Sequence, residues 1–112
     1  MSTSIPFETG QDANMAALLI LNYDVTEGSA LDEYRMAATP ILLGPHAGEL
    51  LVSTAETVHL SEAPDGGSHT VVIRFRDAEL AREIYDSGEY RNLLQARLAA
   101  TVPHTAMIVP EL

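Results

Sequence analysis

From Met15 the chain reads Met15-Ala16-Ala17-Leu18-Leu19-Ile20-Leu21-Asn22-Tyr23, a nearly continuous apolar run that turns polar at its end. Such a run predicts a central strand covered on both faces, with a buried helix as the alternative that periodicity leaves open. Thr26-Glu27-Gly28 reads as a turn. Ser29 followed by Asp32 has the form of a helix cap with an acid in the first turn, and Leu31, Tyr34 and Ala38 recur at helical spacing. Pro40 predicts a break there, with a second short helical segment ending near Gly44-Pro45. Glu49-Leu50-Leu51-Val52-Ser53-Thr54-Ala55 and then Glu56-Thr57-Val58-His59-Leu60 predict one long bent strand, or a strand with a bulge. Ala63-Pro64-Asp65-Gly66-Gly67-Ser68 is a turn, and the β-branched run His69 to Arg76 is the firmest strand in the chain.

Asp77 can cap the next helix, whose apolar stripe is Leu80, Ile84 and Tyr85. Ser87-Gly88 interrupts it, and a second stretch, Glu89 to Ala100, places Tyr90, Leu93, Leu94 and Leu98 toward the core. Thr105 to Val109 is the last strand. Residues 1–14 carry Pro6 and Gly10 and no period, which predicts a flexible N-terminal arm with Ile5 and Phe7 as anchors, followed by a single domain over 15–112. The order strand, helix, strand, strand, helix, strand predicts an α+β, ferredoxin-like fold: a four-stranded antiparallel sheet with both helical crossovers on one face. The other sheet face needs a cover. A second copy packed face to face would supply it and close a dimeric α+β barrel, so a homodimer through the open sheet face is expected.

Composition narrows the function classes. In 112 residues there are six Arg, no Lys, sixteen Asp plus Glu, four His and no Cys, for a net charge of -10. A nucleic acid or an anionic membrane would be approached against that field, so neither is an expected partner. No apolar run reaches the roughly 18 residues a membrane crossing needs. The first residues show no basic and apolar leader pattern, which makes a cytoplasmic location the expectation. Without Cys there is no thiolate nucleophile and no sulfur-ligated metal. The His lack the short spacings of a local metal motif, so a metal would need groups gathered by the fold, and no cofactor is called for.

Asp24-Val25-Thr26, Glu33-Tyr34, Thr39-Pro40 and above all Ile84-Tyr85-Asp86-Ser87-Gly88-Glu89-Tyr90 resemble a family of small bacterial proteins of the dimeric α+β barrel superfamily, the domain of unknown function numbered 1330. The resemblance runs from about Leu19 to Val109. It implies the ferredoxin-like fold and is nearly silent about chemistry. In the family the later phrase is usually Trp-Tyr-Asn-Ser-Pro-Glu-Tyr, and here Ile84, Asp86 and Gly88 replace Trp, Asn and Pro. Where the family has Tyr-Gly-Gly-Arg entering the second strand, this chain has His46-Ala47-Gly48-Glu49. The superfamily includes monooxygenases, cyclases, isomerases and dismutases, which permits such chemistry without selecting it.

Four residues are the candidates for a site. His46 and His59 can carry protons near neutrality, Tyr23 can donate to a substrate oxygen at the end of the first strand, and Arg74 can hold a carboxylate or an oxyanion. Each has a plainer reading. His46 suits a turn and His59 an exposed strand. Arg74, which period 2 places with Val72 and Arg76 away from Val71, Ile73 and Phe75, can pair with Glu49 or another acid of the chain. Tyr34, Tyr85 and Tyr90 sit at core spacing with hydroxyls that need partners. Two functions stay open. One is a small cofactor-independent enzyme, of cyclase or isomerase type, moving protons on an organic acid, ketone or polyketide-like metabolite of secondary metabolism, with His46, His59 and Tyr23 as acid and base and Arg74 as oxyanion binder. The other is a non-catalytic small-molecule-binding or structural homodimer.

Overall fold

The computed structural model describes residues 15–112. Strand β1 (Ala17–Val25) is followed by helix α1 (Gly28–Leu42), strands β2 (Glu49–Thr54) and β3 (His69–Phe75), helices α2 (Ala78–Tyr85) and α3 (Gly88–Ala99), and strand β4 (Thr101–Pro110). The strands form one sheet in the order β2-β3-β1-β4 with every neighbouring pair antiparallel, so the α+β, ferredoxin-like expectation holds. No helix among the described residues is long and apolar enough to cross a membrane.

Period-2 alternation sorts the sheet into two faces. Leu19, Leu21 and Tyr23 of β1 and Ile73 and Phe75 of β3 are buried with Leu31, Tyr34, Ala38 and Leu42 of α1, Ala81 of α2 and Tyr90 of α3. The helices therefore cover one face. On the other, Leu18, Ile20, Val72 and Val109 are partly buried, and Val52 and Met107 are 39% and 47% exposed. The crossing of α1 into β2 is tight: a Cβ on Gly48 would lie 2.4 Å from the Ile73 side chain and 2.9 Å from the Leu42 carbonyl oxygen, so only glycine fits.

The structure departs from the sequence expectation in several places. Helix α1 passes through Pro40 without a break. A proline in the last turn forfeits one bond, to the carbonyl of Met36, and Met36 is 79% exposed, where water can serve that carbonyl. The N-terminus of α1 is capped at Glu27, not Ser29, and without a side-chain bond. Instead the N–H groups of Thr26 and Glu27 both donate to the Ala100 carbonyl, at 2.9 and 3.2 Å. Glu56 to Leu60 is not strand. Its alternation imitates one, but β2 is an edge of the sheet, and the segment is held by single bonds and not by a ladder: Thr57 N–H donates to Ser68 O, the Thr57 hydroxyl lies 2.6 Å from that of Thr70, and His59 Nε2 lies 2.9 Å from Gly67 O. The bulge expected in this region is real and falls between Leu50 and Val52.

β4 begins at Thr101 rather than Thr105 and includes Pro103. An edge strand tolerates proline, and Pro103 sits where the β1–β4 register shifts, at Asn22/Tyr23. Asp77 does cap α2, accepting from the N–H of Leu80 at 2.8 Å, and the Ser87-Gly88 interruption turns out to be the start of α3, with Ser87 as its cap accepting from the N–H of Tyr90 at 3.2 Å. In α3 the expected Leu98 is only partly buried; Tyr90 and Arg97, seven residues apart on one face, are the buried pair. The N-terminal arm expected over 1–14, with Ile5 and Phe7, lies outside the described residues.

Candidate functional site

Between α1 and the sheet lies a pocket of about 130 Å³. Its walls are mostly apolar, with Leu21, Ala38, Leu42, Leu50, Val71 and Ile73 among them. The polar groups that reach it include Tyr23, Tyr34, Arg35 and Arg97, and among the described residues no carboxylate or imidazole lines it. A small apolar hollow with a few convergent polar groups is the general form of a ligand site.

Arg97 is 5% exposed. Its Nη1 donates to the Tyr90 hydroxyl at 2.8 Å and its Nη2 to the Tyr85 hydroxyl at 3.2 Å, and the guanidinium carbon lies 5.9 Å from the centre of the Tyr85 ring. A guanidinium has five N–H donors; three of Arg97's find no partner among the described residues, and no carboxylate there forms an ion pair with it. Burial works against its charge, but the oxygens of Tyr90, Tyr85 and Tyr34 outweigh that and hold its pKa above the ordinary value. Among the described residues the charge is answered by phenol oxygens alone and by no carboxylate, and a buried cation without an anionic partner is costly.

The Tyr90 hydroxyl, accepting from Arg97, lies 2.6 Å from that of Tyr34, and the two rings meet edge to face with centroids 6.3 Å apart. Burial pushes both phenols above their ordinary pKa, so they stay protonated. When Tyr90 donates to Tyr34, the Tyr34 proton is free to point into the pocket. At the same pocket Arg35 Nη2 donates to the Tyr23 hydroxyl at 3.0 Å, and its side chain is 40% exposed.

Of the four residues singled out in the sequence, Tyr23 alone reaches this pocket. Arg74 stands on the opposite face of the sheet, paired across β1 with Leu18, where Nε and Nη2 donate to the two Glu111 carboxylate oxygens at 2.9 and 2.7 Å and Glu49 lies 3.6 Å away. The fork-to-fork pair raises the pKa of Arg74 and lowers that of Glu111. His46 is exposed in the loop after α1, on a shallow hollow shared with Pro40, Glu83 and Glu89. The Nε2 of His59 lies 2.9 Å from the Gly67 carbonyl oxygen, with the ring against Gly66. His46, His59, Tyr23 and Arg74 are therefore not brought together.

The remaining histidines are near the end of β1: His69 stacks on the Tyr23 ring, centroids 5.6 Å apart, and His104 Nε2 lies 3.0 Å from Asp24 Oδ2. Among the described residues no three His, Asp or Glu are grouped to hold a metal ion. What the sequence reading missed is Arg97. A signal existed, an Arg one heptad after Tyr90 on the core face of a helix, but without a third element it reads as an exposed charge.

Residues 16–112 match the domain of unknown function DUF1330. The chain belongs to that family. A protein of unknown function from Rhodopseudomonas palustris shares the fold of this DUF1330 chain, with 13% identity and a TM-score of 0.72 over 100% of this chain and 95% of its own. An ethyl tert-butyl ether d (ethd) family protein from Bacillus halodurans aligns at 15% identity and a TM-score of 0.51, over 88% of this chain and 99% of that one. No curated protein matches the chain. At such identities the likeness speaks for the fold alone.

Proposed function

We propose that the DUF1330 chain binds a small organic acid in the pocket between α1 and the sheet. The observation that carries this reading is Arg97, buried beside the pocket with three donors that find no partner and no carboxylate among the described residues. Arg97 supplies the countercharge, and Tyr34 and Tyr23 supply neutral donors for the same oxygen or a neighbouring one. A dry cavity makes such bonds stronger than in water.

The same set of donors would stabilise an enolate, so an isomerase- or cyclase-type reaction is compatible with it. Among the described residues, however, no carboxylate or imidazole lines the pocket to act as a base. Tyr34 and Tyr90 are held protonated, and the imidazoles of His46 and His59 lie elsewhere, so binding is better supported than proton abstraction. The pocket is well below the several hundred Å³ of a drug-sized site and close to the engineered ~150 Å³ cavity that accepts benzene. A metabolite of a few carbons fits it.

Titration calorimetry with propionate and butyrate against propionamide and butyramide tests the reading. The acids should bind and the amides, equal in size, should not. Equal binding of both, or of neither, contradicts it.

The partner expected on the uncovered sheet face is a second copy of this chain. Leu18, Ile20, Val72 and Val109 form an apolar strip there, bordered by the Arg74–Glu111 pair, and two such sheets face to face would bury it.

A further inference from the structure

The six arginines divide sharply. Four are answered by a carboxylate of the chain: Arg74 by Glu111 at 2.7 Å, Arg76 by Asp77 at 3.1 Å, Arg82 by Asp86 at 2.7 Å, and Arg91 by Asp86 at 3.6 Å. Arg97 has none among the described residues, and Arg35 has only Asp32, 3.9 Å away and itself 75% exposed. These two are the arginines that line the same pocket, one buried at its inner end and one half-open to solvent. In a chain with a net charge of -10, one cation without a carboxylate among the described residues and one with only a long, exposed contact to Asp32 face the same small cavity, which suits a ligand that carries negative charge at both ends.

We infer that the ligand of this pocket is a short dianion, a three- or four-carbon dicarboxylate or its 2-oxo analogue, with one carboxylate on Arg97 and the other on Arg35. This rests on the reading of the pocket as an acid-binding site and adds its second pole. Arg35 is oriented for the task, because Nη2 is fixed on the Tyr23 hydroxyl at 3.0 Å while Nη1 has only the long 3.9 Å contact to the exposed Asp32, which a ligand carboxylate can replace. Tyr23, having accepted that bond, keeps its own proton for the ligand. Between the two cations the walls are apolar, through Ala38, Leu42, Val71 and Ile73, which suits a short methylene spacer and leaves a hydroxylated one without partners. A volume of about 130 Å³ excludes longer chains and aromatic diacids.

The global field gives the test its edge. A strongly anionic protein repels a dianion more than a monoanion, so any preference for the dianion must come from the local pair of cations. Calorimetric titrations of malonate and succinate, set against propionate and butyrate, should show the diacids binding about tenfold tighter, the size of one added charge-assisted hydrogen bond. Arg35→Gln, a change at a half-exposed position checked for folding by circular dichroism, should bring the diacids down to the affinity of the monoacids. Equal affinities in the unmodified protein, or a preference that survives Arg35→Gln, would overturn the second pole while leaving the acid pocket standing. No binding of any acid would overturn both.

Discussion

Replacing Arg97 by Met separates a ligand-binding cation from a structural one. In the free protein the two bonds to Tyr90 and Tyr85, at 2.8 and 3.2 Å, are hydrogen bonds from a charged group and return about 1.5–3 kcal/mol each. Against them stands the desolvation of a guanidinium that is 5% exposed, on the order of several kcal/mol, which the donors left unfilled do nothing to recover. The balance lies at or against the native state. Met fills a similar volume without charge, and Tyr90 keeps its 2.6 Å bond to Tyr34. Urea denaturation of Arg97→Met should therefore give a stability equal to the unmodified protein or about 1–2 kcal/mol greater. The same variant should lose the response to acids. At a ligand concentration of 100 Kd the unmodified protein gains about 2.7 kcal/mol, which for a domain of this size moves Tm by roughly 10 °C, and Arg97→Met should show none of it. A loss of 3–5 kcal/mol in the free variant would refute the reasoning and make Arg97 a structural residue.

Other outcomes follow from other parts of the molecule. Asn22 is buried and its amide binds Gly67 O, His69 O and the Thr70 hydroxyl while accepting from Gly67 N–H at 2.7 Å; Asn22→Ala leaves these groups without partners and should cost about 2–4 kcal/mol in urea denaturation. Gly67→Ala should be no milder, since its Cβ would lie 2.2 Å from the Tyr23 backbone, and a variant as stable as the parent would contradict the geometry. Asp24 is held below its ordinary pKa of 3.8 by the hydrogen bond with His104 and then by the Ser68 N–H. A depressed carboxylate stabilises the fold above that value and stops doing so as pH falls below it; Asp24→Asn should flatten stability against pH in the acid range, and an unchanged slope would count against the pair. Val72→Asp on the uncovered sheet face should convert a dimer to a monomer in light scattering, and a protein already monomeric at micromolar concentration would remove that partner.

The fold was legible because its signals are local and agree with one another. The apolar run of β1, the β-branched residues of β3, the cap Asp77 and the break at Ser87-Gly88 each say the same thing at short range. The errors fall where tertiary context decides. Glu56 to Leu60 has strand-like alternation but the β2–β3 ladder ends at Thr54 and Thr70, and Val58 and Leu60 end 81% and 64% exposed. Pro40 reads as a break but costs one bond on a wet carbonyl. The site was less legible for the same reason. Arg74 announces itself by sitting among valines, yet its partner Glu111 lies beyond the last strand, 37 residues away. The signal for Arg97, its place one heptad after Tyr90, is too weak to read alone, and only the meeting of α1, α2 and α3 through Tyr34, Tyr85 and Tyr90 accounts for its burial. Tyr23 was legible as a strand-end hydroxyl, but not the arginine one helix away that fixes it.

The central claim is that the buried Arg97 guanidinium is answered by an acid from outside the chain. A crystal structure of the protein grown with succinate tests this most directly. The account predicts a carboxylate in the pocket with its oxygens about 2.7–2.9 Å from the Arg97 nitrogens that Tyr85 and Tyr90 leave free. A pocket without the acid at saturating concentration, with those nitrogens bonded to backbone carbonyls, would contradict it.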